Sequence, residues 1–305
     1  MRRPTEPAVL LLPTPVLWGV TFPAAKLALE HLPPFAFMAW TRALGALSVL
    51  LLAPLLRRAD LGGTRPARAV LGPGLLLGTL IFAAYVLQTE GLNRTTATNA
   101  GFITGLYVVF TPVLAALLFR ERVPRAAWAA VVVSVLGMGL LSVRDLGAVR
   151  LHSGDLLVLA GAVAWAGHVV AVGHYSPRFS PWALSLAQMT ATAGLQLLAA
   201  AGTGLRPAEA ASWPVWGYLV LTGALGSGVA YTLQVLGQQS LTATRAVVLL
   251  AGEALFAAFF AAVWLRERLA LHQWAGAGLV LAAMAVSELS ARRPAAAHLE
   301  PASAP

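Results

Sequence analysis

Three ionisable side chains that could bind a solute or carry a proton lie deep inside long apolar stretches. Arg42 is about eight residues into one stretch, Glu253 is about halfway along another, and His168 lies midway through a third. An ionisable group at the centre of a hydrocarbon layer costs roughly 2.5–3.5 kcal/mol on insertion scales, so each needs a specific reason to be there. Their chemistry would be the binding of a polar solute or the relay of a proton.

Each of the three side chains has a structural alternative. Glu253 is predicted to line a central cavity or to serve in a proton relay, with a hydrogen bond to a neighbouring helix as the alternative. Arg42 would contact a substrate or pair with a carbonyl at a helix end. His168 could take part in proton coupling because histidine titrates near neutral pH, although a hydrogen-bonded packing histidine is the favoured interpretation.

An internal repeat places further polar and aromatic residues in pairs. Residues 84–128 and 230–274 align without a gap at an offset of 146, and 16 of the 45 aligned positions are identical. Duplicated halves in a membrane chain are typical of transporters built from two repeats around a central site. The repeat therefore predicts a substrate cavity between the halves.

The repeat pairs fall into candidate gates and candidate cavity residues. Two identical pairs, at spots where symmetric gates would lie, are Tyr85 with Tyr231 and Gln88 with Gln234. Hydrogen bonding between helices is an equal alternative for the glutamines. Further residues predicted to face the cavity are Trp18, Asn99, Tyr107 and Trp165, with core packing as the alternative for the two tryptophans. Tyr107 occupies in one copy the position that Glu253 holds in the other, so we expect substrate choice and coupling to depend on such asymmetries.

Composition defines the setting of these residues. The chain is 58% hydrophobic and 11% charged, with a mean hydropathy of +0.75, whereas soluble domains carry about 25% charged residues. Cysteine is absent, which excludes disulfides and thiolate chemistry, and no His/Asp/Glu cluster has metal-ligand spacing. We therefore predict no cofactor and no metal. We also predict no nucleic-acid partner, because the arginines lie at span ends, where they orient a membrane protein.

The apolar stretches predict an all-α integral membrane fold with ten transmembrane helices, since a lipid-exposed backbone must satisfy its own hydrogen bonds. The predicted spans are 8–30, 34–56, 69–91, 97–119, 126–143, 154–174, 180–201, 214–237, 243–264 and 272–290. They form two five-helix repeats, 8–143 and 154–290, and the tail 291–305 is predicted to be a disordered cytoplasmic segment.

Loop arginines predict the orientation. With a cytoplasmic N-terminus, twelve arginines lie on the inner side and six on the outer side, which favours both termini in the cytoplasm. Five spans per half make the second half enter the membrane from the opposite side, so the repeats are expected to be inverted. The predicted location is the cytoplasmic membrane.

Several motifs resemble one known family. The stretch 87–107 (LQTEGLNRTTATNAGFITGLY), the opening Trp18-Gly19-x-x-Phe22, Arg42, and the Arg-Glu-Arg triplets at 120–122 and 266–268 resemble EamA-type members of the drug/metabolite transporter superfamily. Ala254 follows Glu253 where the family usually has Pro. The resemblance implies ten helices in two inverted repeats and transport of small metabolites, amino acids among them, often outward. Substrate, bilayer and possible coupling protons are the implied partners.

Two other functions compete with metabolite export. A cationic-drug exporter would need an acidic cavity, and Glu253 is the single deep acid. An intramembrane hydrolase would use Ser227 with His168, although no third orienting group is evident. The chain has no Gly-x-x-x-x-Gly-Lys-Ser/Thr loop, which argues against ATP drive. Spacings of four residues also allow ion pairs between Lys26 and Glu30 and between Glu90 and Arg94, and Lys26 could instead extend its ammonium group to the membrane surface.

Overall fold

The computed structural model describes residues 7–58, 67–95, 97–142, 153–202, 212–264 and 269–292, and these are all-helical, with no strand among them. The triplet 266–268 and the tail beyond Arg292 lie outside the described residues. The first half contains seven α-helices, which are α1 (Pro7–Leu11), α2 (Pro13–Leu29), α3 (Pro34–Arg58), α4 (Leu71–Asn93), α5 (Ala97–Gly105), α6 (Tyr107–Phe119) and α7 (Arg125–Ser142). A short 3₁₀ turn, Ala67–Val70, precedes α4.

The second half repeats this order with one irregular span. Its helices are α8 (Ser153–Tyr175), α9 (Pro181–Ala201), α10 (Trp213–Val220), α11 (Ala230–Gln238), α12 (Ala243–Leu250), α13 (Glu253–Trp264) and α14 (Leu271–Arg292). A π-helical stretch, Leu221–Val229, joins α10 to α11 and is called the π segment below. The last helix runs to Arg292, two residues into the predicted tail.

Eight of the described helical segments are long and apolar enough to cross a membrane. Two shorter apolar helices, Arg125–Leu140 and Leu271–Ser287, occupy the fifth and tenth places predicted from the sequence. The multi-pass helical architecture is therefore confirmed, and the count of ten crossings depends on those two helices.

Equivalent spans of the two halves are broken at the same place. The fourth span is interrupted at Leu106 between α5 and α6, and the ninth at Ala251 and Gly252 between α12 and α13. Leu106 and Gly252 are 146 positions apart, the offset of the sequence repeat. The break in the ninth span occurs without a proline among residues 251–254.

The helices pack across the repeats in pairs that mirror each other. Helix α4 packs against α8 and α9, and in the equivalent arrangement the π segment packs against α2 and α3. Helix α7 packs along α14, its counterpart in the second half. The largest buried cluster draws on both halves, so neither half encloses the centre of the molecule alone.

Lys26 and Glu30 do not form the ion pair that their spacing allows. Lys26 Nζ instead donates hydrogen bonds to the backbone carbonyls of Leu92 (2.9 Å), in the last turn of α4, and of Thr95 (2.8 Å), two residues beyond its end. Carbonyls at a helix C-terminus lack partners within the helix and attract a cation, so they compete successfully with a carboxylate one turn away. The predicted pair of Glu90 and Arg94 is confirmed at 3.1 Å.

Candidate functional site

A central cavity lies where the two repeats meet. The empty space of the cavity, counted together with the open solvent at its mouth, is about 670 Å³. Both halves contribute aromatic and polar side chains to its wall. Those of the first half include Trp18, Arg42, Tyr85, Gln88, Thr104 and Tyr107, and those of the second half include Trp165, His168, Thr222, Tyr231 and Glu253.

Aromatic rings from the two repeats form matching contacts in the cavity wall. Trp18 contacts Tyr231 with ring centroids 5.1 Å apart, and the equivalent pair, Trp165 and Tyr85, has centroids 6.1 Å apart. Trp165 also stacks on Tyr231 at 6.0 Å. The sequence repeat predicted the tyrosines as gates and the tryptophans as cavity residues, and the structure joins all four rings into one continuous wall.

Arg42 is buried in this wall without a counter-charge. The side chain is 1% exposed, and its guanidinium carbon lies 3.8 Å from the centre of the Tyr85 ring. The Tyr231 hydroxyl lies near the guanidinium, but Nε and Nη1 have no hydrogen-bond partner within the part of the chain that the structure describes. Arg42 pairs with no carboxylate among the described residues. A stacked and otherwise unpaired guanidinium is suited to binding an anion in its own plane.

Glu253 and Tyr107 face each other across the repeats. They hold equivalent positions, because each begins the second helix of a broken span. Both are buried, and the Tyr107 hydroxyl lies beside the Glu253 carboxyl, although the hydroxyl and Oε1 of Glu253 fall short of full hydrogen-bond geometry with any described partner. Equivalent positions can touch only where two repeats meet, so this pair marks the junction of the halves.

His168 and Gln88 are held by hydrogen bonds at the rim of the aromatic wall. His168 Nε2 pairs with Gln188 Oε1 at 3.0 Å, and its Nδ1 has no partner. Gln88 donates to the Thr104 hydroxyl at 2.9 Å and accepts from Trp165 Nε1 at 3.3 Å. These bonds fix the orientation of Trp165 and His168, so the wall is preformed.

A predicted gate residue, Gln234, and a predicted cavity residue, Asn99, are not among the residues that line the described cavity. Gln234 is buried away from the cavity lining, where its side chain donates to Gln238 Oε1 at 2.9 Å. Asn99 belongs to α5, but its side chain lies outside the described residues. The hydroxyl of Ser227 donates to the Thr222 carbonyl at 2.8 Å, and His168 is engaged by Gln188, so the hypothetical Ser227–His168 pair is not formed.

Sequence reasoning missed the polar face of α9. Gln188, Thr192 and Gln196 are fully buried at a spacing of four residues, and Gln188 orients His168. That spacing was a visible sign of one buried polar helix face. Thr104 was also missed, because its counterpart in the other repeat is Leu250, so no pair drew attention to it. The described residues contain no group of three potential metal ligands.

A multi-pass helical chain with two repeats around a central, polar-and-aromatic cavity has the architecture of a membrane transporter. The comparisons with known proteins agree with this class. The model of the EamA-like transporter family matches residues 7–143 and 152–288, and the chain belongs to that family.

Individual relatives support the same class. An "uncharacterized transporter" of Archaeoglobus fulgidus is 31% identical over 274 residues, covering 90% of this chain and 83% of the relative. The Bacillus subtilis "uncharacterized transporter YyaM" is 26% identical over 165 residues, or 52% of each chain. A solved crystal structure at 22% identity has a TM-score of 0.74 and covers 94% of this chain and 98% of its own, which shows the fold.

Proposed function

We propose that this chain is a secondary transporter that exports a small metabolite across the cytoplasmic membrane by alternating access. The observation that carries the proposal is the central cavity, because its wall draws matching aromatic residues from both repeats. A site built at the junction of two similar halves can be opened by either half in turn. The outward direction rests on the family resemblance.

The proposed topology has ten crossings in two inverted five-helix repeats, with domains at 8–143 and 154–290 and both termini in the cytoplasm. The mirrored packing of α4 on α8 and α9, and of the π segment on α2 and α3, supports two equivalent halves. Five crossings in each half would place equivalent turns on opposite membrane faces. The arginine bias of the loops supports the assignment of the faces.

The proposed gates are the aromatic contacts and the broken spans. Tyr85 and Tyr231 each contact a tryptophan of the opposite repeat, so separating the halves on one side must break one such contact. The breaks at Leu106 and at Ala251 and Gly252 interrupt both spans beside the cavity, where the two parts of each span can tilt separately. Gln88 ties one gate to α5 through Thr104.

Protons are the proposed coupling ion, with Glu253 as the carrier and His168 as a second titratable group. Glu253 lines the cavity at the junction of the halves and is 4% exposed. A carboxyl group that must lose water whenever the cavity closes is a suitable carrier, because burial favours proton uptake and opening to water favours release. The equivalent position in the other repeat holds Tyr107, which has no carboxyl group, so Glu253 would be the one carboxylate carrier of this pair.

The transport proposal is tested by export from intact cells. Metabolites in the medium are compared between cells that produce the protein, cells that produce a cavity variant, Tyr231→Trp, and cells that produce neither. Filling the cavity with a larger ring should abolish export without preventing insertion. Accumulation of at least one compound outside only with the wild-type chain is expected. Identical media from all three cultures would contradict transport.

The coupling proposal is tested in proteoliposomes with the exported compound. A pH gradient should drive its accumulation by the wild-type chain, and Glu253→Gln should abolish the response to the gradient while leaving exchange of the compound across the membrane. Glu121→Gln is the matched control, because Glu121 lies beyond the end of α6 and outside the cavity lining. Transport that ignores both the gradient and Glu253→Gln would exclude proton coupling.

The alternative of a cationic-drug exporter is disfavoured by one observation. The unpaired guanidinium of Arg42 lies in the same cavity as Glu253, so a cationic solute would meet a fixed positive charge. Like charges in a low-dielectric site repel strongly.

A further inference from the structure

No described carboxylate balances the charge of Arg42. The residue is 1% exposed, and Nε and Nη1 have no acceptor among the described residues. Its neighbours are the face of Tyr85 and the hydroxyl of Tyr231. A buried charge is costly unless it is paired and hydrogen-bonded, so the arrangement is incomplete in the absence of an anion.

The carboxyl group in the cavity lining does not supply the anion that Arg42 lacks. Glu253 lines the same cavity but forms no ion pair with Arg42, and its own Oε1 is unpartnered. The Tyr231 hydroxyl lies close to both groups. Because Arg42 and Glu253 form no ion pair, Arg42 is left for an anion that comes from outside the chain.

We infer, on the basis of the proposed transport function, that Arg42 anchors the carboxylate of the substrate, and that the substrate is a small carboxylic acid with a flat apolar body. The planar guanidinium matches a carboxylate in geometry, and stacking on Tyr85 fixes its plane while Nε and Nη1 have no partner among the described residues. Arg42 thus determines specificity for the head group.

The remaining wall fits the body of such a molecule. Trp18 and Trp165 both contact the Tyr231 ring, and Phe22, Phe37 and Val169 add apolar surface to the lining. Aromatic faces bind flat apolar groups by burial and offset stacking. A carboxylate at Arg42 would place its apolar substituent against these rings.

The test measures binding to the purified full-length protein by titration calorimetry, independently of transport. Three ligands share one phenylpropyl-type body and differ in charge, namely hydrocinnamate, its neutral amide and the corresponding amine. The variants are Arg42→Gln, Arg42→Lys and the matched control Arg94→Gln, which removes an exposed arginine at the end of α4. Thermal unfolding in detergent verifies that each variant is folded.

Wild type and Arg94→Gln are expected to bind hydrocinnamate about ten-fold to a hundred-fold more tightly than the amide or the amine. Arg42→Gln should lose that preference but keep its affinity for the amide. Arg42→Lys should keep the preference with weaker binding, because an ammonium group lacks the planar fork; this variant carries the test if Arg42→Gln does not fold.

Four results would overturn the carboxylate site. Two concern the wild type, namely no saturable binding of hydrocinnamate up to about 10 mM and equal binding of the three ligands. Two concern the variants, namely a preference that survives Arg42→Gln and a preference that vanishes in folded Arg42→Lys. The transport proposal fails separately. If cells export nothing but the purified protein keeps the Arg42-dependent preference, the anion site stands and the transport proposal fails. If cells export an amine but the purified protein lacks that preference, the transport proposal stands and the anion site fails.

Discussion

At the scale of single residues, Lys26 shows how a charged group is used inside an apolar helix. Its ammonium group binds two carbonyls at the end of α4 and so joins the first span to the third. Lys26→Met keeps the length of the side chain but leaves those carbonyls without their charged donor. We expect a loss of about 1–3 kcal/mol in the free energy of unfolding, measured by denaturant titration in detergent.

The matched control for this prediction is Glu30→Gln, one helical turn from Lys26. Because the structure pairs Lys26 with carbonyls instead of Glu30, this variant should stay within about 0.5 kcal/mol of wild type. Equal losses in the two variants would mean that the ion pair predicted from the spacing, and not the carbonyl contact, holds this region together.

The cavity residues differ in how far the sequence alone could predict them. Arg42 and Glu253 stood out because a charge in an apolar span is costly, and Trp18 with Trp165 because they recur in both halves. Gln188 and Thr104 did not, because a neutral polar residue costs less and its importance depends on how each helix is rotated. The separation of Gln234 from the cavity depends on the same rotation.

At the scale of elements, the π segment joins the second half to α2 and α3. Its wider turns leave carbonyls for partners outside the helix, and Trp18 Nε1 donates to the Gly226 carbonyl at 2.9 Å while Ser48 donates to the Ala224 carbonyl at 3.2 Å. A π-helical stretch is often found at functional sites. Nothing in the amino-acid pattern distinguished it from an ordinary helix, because both are apolar and glycine-containing.

Close approach of the π segment to α3 requires glycine at position 223. A Cβ added there would lie 2.8 Å from the Thr41 carbonyl oxygen and from Leu44 Cβ. Gly223→Ala should therefore cost about 1–3 kcal/mol and lower the melting temperature in detergent. Gly194→Ala in α9, where a Cβ would meet nothing within 4 Å, should leave the melting temperature unchanged or slightly higher. Similar shifts in both variants would refute the close contact.

At the scale of the whole molecule, the repeat predicted more than any single residue did. It indicated two related halves and a site between them, and the broken spans and the Trp–Tyr contacts follow that symmetry. The breaks themselves were not predictable, because Leu106 is a good helix former and Ala254 stands in place of a proline. Departures from the symmetry, Tyr107 facing Glu253 above all, need the three-dimensional structure to be recognised as contacts.

Inversion of the halves makes a prediction about membrane sidedness that the absence of cysteine makes easy to test. Asn93 and Ser240 are exposed and flank equivalent turns, after α4 and after α11. Three crossings precede the turn at Asn93, which would place it outside the cell, and eight precede the turn at Ser240, which would place it inside. Asn93→Cys should therefore react with a membrane-impermeant maleimide in intact cells. Ser240→Cys should react only in inverted vesicles. The unmodified chain supplies a background without thiols. Labelling of both cysteines from the same side would mean that the two halves are parallel, and the two-gate mechanism proposed for the central cavity would then be wrong.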